Sequence, residues 1–146
     1  MGGVSEFRRQ ALIDGPVERV WELVGDPLRH PEWWPRVVEV RGEAFAVGDS
    51  FAQVIRGPMS SQHMEIRIEE RDDPRELALR CPVSGTYSHW KLTEARDGTF
   101  VDVEMGMQPL TRRDRLFDAT AGRLFFRRWL DDTVDALKAA VEGLDG

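Results

Sequence analysis

Alternation of apolar and polar residues between about positions 61 and 107 constrains this chain more than any other feature. Met64, Ile66 and Ile68 fall on one side of an extended backbone, and His63, Glu65, Arg67 and Glu69 on the other, because successive strand side chains point to opposite faces. The split recurs. Leu77, Leu79 and Cys81 oppose Glu76, Ala78 and Arg80; Ser88, Trp90 and Leu92 oppose Tyr87, His89 and Lys91. Val101, Val103, Met105 and Met107 oppose Phe100, Asp102 and Glu104. An antiparallel sheet with one dry and one wet face follows. Asp72-Asp73-Pro74, Ser84-Gly85 and Asp97-Gly98 supply turns at hairpin intervals. Strands are predicted at about 4–14, 36–43, 49–57, 61–71, 75–82, 86–95 and 99–108.

Helical periodicity brackets this sheet. After the strand ending at Ile13, Val17, Val20, Trp21 and Val24 recur at the i, i+3, i+4, i+7 spacing of an amphipathic helix, with Pro16 at its start. Asp26-Pro27 stops it, and Trp33-Trp34-Pro35 leads into the next strand. Near the other end, Thr111-Arg112-Arg113-Asp114 resembles a capping box and Gly143 a stop, giving a helix over about 112–142, roughly 45 Å long. Phe126, Leu130, Val134, Leu137, Val141 and Leu144 form its main apolar stripe, which extended backwards meets Arg123. Phe117, Ala121, Leu124 and Phe125 lie on nearly the opposite side, so the helix either bends near Gly122 or is apolar on two sides in its first half.

The block from Ile13 to Val40, together with the Asp97-Gly98-Thr99-x-Val101 strand entry, resembles the START-like superfamily of polyketide cyclase/dehydrase and lipid-transport proteins (SRPBCC). The resemblance covers essentially the whole chain and implies a single domain over 1–146 with an α+β helix-grip fold. In that fold an N-terminal strand and two short helices precede a sheet that curls around a long C-terminal helix. It also implies a cavity between sheet and helix for a hydrophobic or aromatic small molecule. Polyketide cyclisation, non-catalytic lipid or quinone carriage, and an interaction module similar to the Hsp90-ATPase activators all remain open, since a fold hosts many functions.

Within the implied cavity the dry face offers Met64, Cys81, Ser88, Trp90, Met105 and Met107, with Trp34 and Phe51 near one end and Phe117, Arg123 and Phe125 from the helix. Methionine adapts to irregular apolar ligands, and a guanidinium on an apolar stripe needs a partner or a route to water. His63, Tyr87, Ser88 and Arg123 are the polar groups to test for enolate formation and dehydration. No nucleophile elbow, HExxH-type site or committed carboxylate pair is legible, and Cys81, the lone cysteine, makes neither disulfide nor metal cluster. The expectation is therefore no metal and no cofactor.

Net charge is −6, which disfavours a nucleic-acid partner even though arginines crowd the segment from Arg112 to Arg128, because aspartates are interleaved with them. Neither an 18-residue apolar run nor a signal-peptide core occurs, so a soluble cytoplasmic protein without stable membrane insertion, monomer or homodimer, is expected.

Overall fold

The structure, a computed structural model, describes residues 5–57, 59–107 and 123–143; the side chains of Ser5, Glu6 and Arg123 are not described. Seven strands alternate with turns where the sequence places them: β1 (Ser5–Ile13), β2 (Val37–Arg41), β3 (Ser50–Arg56), β4 (Ser61–Asp72), β5 (Glu76–Arg80), β6 (Thr86–Ala95) and β7 (Gly98–Met107). They form one antiparallel sheet in the order β1-β7-β6-β5-β4-β3-β2, so the first strand closes against the last and β2 is the far edge. This is the α+β helix-grip arrangement.

Between β1 and β2 lie α1 (Val17–Val24), a 3-10 turn (Pro27–Arg29) and α2 (His30–Trp33). Asp26 caps the turn, its carboxylate accepting from the Leu28 N–H at 3.1 Å. Along α1, Val17, Val20, Leu23 and Val24 are buried, while Trp21 is half-buried with the Arg71 guanidinium 5.3 Å from its ring centre.

The helix α3 (Arg123–Glu142) is described over 20 residues, about 30 Å, and the predicted first turns over 112–122 lie outside the described residues, as does Leu144. Phe126, Leu130, Val134, Leu137 and Val141 are buried against the sheet, so the stripe read from the sequence is the face that packs. Trp129 and Thr133 widen it to a full core-facing band. Among the described residues, no helix is long and apolar enough to cross a membrane.

On the sheet, Ile66, Ile68, Leu77, Leu79, Cys81, Ser88, Trp90, Leu92, Val101, Val103, Met105 and Met107 are all buried, as alternation requires. Three positions depart from it, the first being Ala78, assigned to the wet face but 9% exposed. Tyr87, assigned to the wet face, is 9% exposed and lies beneath the Arg80 guanidinium, 4.9 Å from its ring centre. In β4 the register shifts between Ile68 and Glu70, a bulge that sets Glu69 and Glu70 both outward and aligns Arg71 with inward-facing Leu77.

Candidate functional site

The inner face is organised around indoles. The tight passage from α2 into β2 stacks Trp33 on Trp34, with ring centres 5.4 Å apart and planes at 19°. Trp34 meets Trp90 edge to face at 5.4 Å and Trp129 at 6.3 Å, so α2, β6 and α3 each contribute one wall. Two of the four indole N–H groups are bonded: Trp33 donates to the Leu23 carbonyl at 3.1 Å and Trp129 to the Pro35 carbonyl at 2.6 Å. The second of these bonds ties α3 to the Trp34-Pro35 passage. Trp34 Nε1 and Trp90 Nε1 are buried without a hydrogen-bond partner among the described residues, an unfavourable condition for a donor.

A void lies where these walls meet the sheet. Its apolar lining is Trp34, Ile66, Leu79, Met105 and Trp129, and its polar lining is Gln53, Thr86, Tyr87 and Ser88. The space bounded by these residues is about 20 Å³, room for roughly one water. Thus Trp34, Tyr87, Ser88 and Met105 from the candidate set border it. Phe51, Cys81, Trp90 and Met107 are buried in the same core without doing so, and Met64 is half-buried beside it. Phe125 is half-buried in α3, 5.9 Å from Trp129, with the Arg36 guanidinium 4.8 Å over its ring. Phe117 and the side chain of Arg123 lie outside the described residues.

Gln53 and Trp129 were missed by sequence reasoning. Gln53 shares parity with Phe51 and Ile55, and that signal was available. Trp129 sits one residue before Leu130 and belongs to the packed band once its width is considered.

His63 is exposed on the outer face of β4, opposite Val54, and borders an open groove of about 920 Å³ along β2–β4 together with Val38, Glu39 and Glu65. It is remote in the sheet from Ser88 and Tyr87. Elsewhere on the outer face, His89 Nε2 lies 2.6 Å from Glu76 and 3.4 Å from Glu70, and the bulge is what brings Glu70 there. The hydrogen bond from His89 holds the Glu76 carboxyl below its usual range. These three donors lie within 4.8 Å of one another, and cross-strand hydrogen bonding accounts for the cluster.

His30 is the buried titratable group of this region. Its Nε2 is 2.8 Å from the Val24 carbonyl and its ring stands edge-on to Trp33 and Trp34. Burial lowers its pKa from 6.5 to about 4, so it is neutral and positions the aromatic passage.

The family profile described as polyketide cyclase/dehydrase and lipid transport matches residues 5–142. No protein of curated function matches the sequence. Among solved structures, a Bacillus halodurans protein is similar with a TM-score of 0.76 at 18% identity, covering 97% of this chain and 99% of that one. A Nitrosomonas europaea protein gives 0.72 at 16% identity, covering 96% of each. The di-domain ARO/CYC protein StfQ of the steffimycin biosynthetic pathway gives 0.71 at 18% identity, covering 98% of this chain and 52% of that one. At these identities the structural matches establish the fold.

Proposed function

Because the chain belongs to the polyketide cyclase/dehydrase and lipid transport family, we propose that it binds a hydrophobic or aromatic small molecule between the inner face of the sheet and α3. The observation that carries this reading is the composition of one wall: two buried indoles, Trp34 and Trp129, border the same void as the neutral polar groups of Gln53, Thr86 and Ser88. Ligand sites are mostly apolar with a few polar groups that fix orientation, which is the composition found here. Plain core needs no amide or hydroxyl at such positions.

As a cyclase the site would act chiefly by templating. The aromatic wall would hold a reactive keto chain in a bent conformation, which converts an improbable encounter into a positioned one. Ser88, Thr86 and Gln53 border the void and can exchange hydrogen bonds with an enol or carbonyl, whereas the Tyr87 ring is taken up by the Arg80 guanidinium beside it. His63, exposed on the other face of the sheet, has no place in that step.

One observation favours a second reading. The void among the described residues holds about one water, and a filled interior suits an interaction module that uses its outer surface. The open groove along β2–β4 would then be the working face.

Titration with a neutral polycyclic aromatic separates the two. On the binding reading, tryptophan emission changes saturably, the melting temperature rises with ligand, and Trp34→Phe removes most of the spectral change. Unchanged emission together with an unshifted melting temperature in the wild type would sink the ligand reading.

A further inference from the structure

Resting on that reading, we propose that Gln53 is a specificity-determining residue of the site, selecting ligands that carry neutral oxygen functions, hydroxyl or keto, on opposite sides of an apolar ring system. Along β3 the inward positions are Phe51, Gln53 and Ile55, which are 2%, 5% and 3% exposed. A primary amide brings two N–H donors and an acceptor oxygen, and burying it is unfavourable unless they are matched. Gln53 borders the void rather than tightly packed core.

Across the void stand Thr86 and Ser88 of β6. On a flat sheet three strand spacings would separate β3 from β6 by about 14 Å. The curl of the sheet brings both to one space, with Ile66 of β4 and Leu79 of β5 forming an apolar floor between them. Thr86 Oγ1 accepts from Ser84 Oγ at 3.0 Å, which leaves its own proton available to donate. Polar groups therefore face each other across an apolar middle. All of them are uncharged. An amide and two hydroxyls match hydroxyl or keto oxygens, whereas a buried carboxylate or phosphate requires a counter-charge that this wall does not provide.

The test compares naphthalene-2,6-diol, 2-naphthol and naphthalene on wild type, Gln53→Met and Ser88→Ala, with affinities read from tryptophan indole N–H shifts and folding checked by thermal melts. Methionine keeps the length and volume of glutamine while removing its hydrogen bonds. In the wild type each hydroxyl is expected to tighten binding about fivefold. Gln53→Met is expected to bring the diol down to the level of 2-naphthol and leave naphthalene within about twofold of wild type. Ser88→Ala acts alike from the other side. A diol-to-naphthol ratio unchanged in Gln53→Met, or equal weakening of all three ligands, overturns the assignment while the site itself stands. If none of the three binds wild type, the ligand-site reading falls and this inference with it.

Discussion

His30 has no signature in the sequence, lying between Arg29 and Pro31 in a polar stretch, yet it is fully buried beneath Trp33 and Trp34. Only the packing of α2 against the core determines that, whereas Gln53 was legible from strand parity alone. The consequence for stability has a definite sign. In the unfolded chain the imidazole titrates near 6.5, and in the fold burial lowers this to about 4, with the Val24 carbonyl and Asp26 opposing the shift. Both states are neutral above 6.5, so nothing is lost there; as pH falls from 6.5 towards 4 the unfolded state takes up a proton that the native state refuses. Urea unfolding at pH 7 and pH 4.5 should therefore show wild type losing roughly 2–3 kcal/mol through this residue, a loss absent from His30→Gln. Parallel pH dependence in the two proteins would mean that His30 titrates normally. Carboxylates such as Glu76 and Asp102, whose pKa values are lowered, contribute in both proteins and cancel in the comparison.

At the scale of elements, alternation and turn chemistry carried nearly all the information: the described strands agree with their predicted spans to within about two residues at most ends. The exception is the bulge in β4. Regular alternation puts Arg71 on the wet face, but the extra residue reverses parity, and Arg71 is drawn to Trp21 and to Asp73, 2.7 Å away. Nothing in Ile68-Glu69-Glu70-Arg71 marks the reversal, because it is decided by which strand lies alongside. The β6–β7 turn shows the opposite case, where a local residue type dictates the geometry. Gly98 has φ +148°, and a Cβ there would lie 2.1 Å from the Ile13 carbonyl oxygen, at the point where β1 ends against the turn. Gly48 also has a positive φ, +92°, but meets nothing within 4 Å. Gly98→Ala is therefore expected to lose about 3 kcal/mol or more in urea denaturation and Gly48→Ala about 1–2 kcal/mol. Equal losses would show that dihedral strain alone, not the close approach to β1, sets the requirement for glycine.

For the molecule as a whole, the family's arrangement was legible from the order of periodicities, but the volume left inside it was not, since that depends on how four indoles interlock. With a void of about 20 Å³ among the described residues, a ring-sized ligand enters between sheet and α3 only by displacing side chains. Trp129 is the obvious obstacle: it borders the void, packs at 6.3 Å from Trp34 and is tethered to Pro35. If the closed form predominates, opening precedes binding and apparent affinity is reduced by the fraction open. Stopped-flow tryptophan emission should then give an observed rate that levels off as a neutral aromatic is raised, the plateau being set by opening. Trp129→Leu removes the tether and part of the roof. It should lower stability by about 2–4 kcal/mol through lost packing, yet raise both the plateau and the affinity, because the open form is already populated. A rate that stays proportional to ligand concentration in wild type, with no gain in Trp129→Leu, would place binding away from this void and remove α3 from the route of entry.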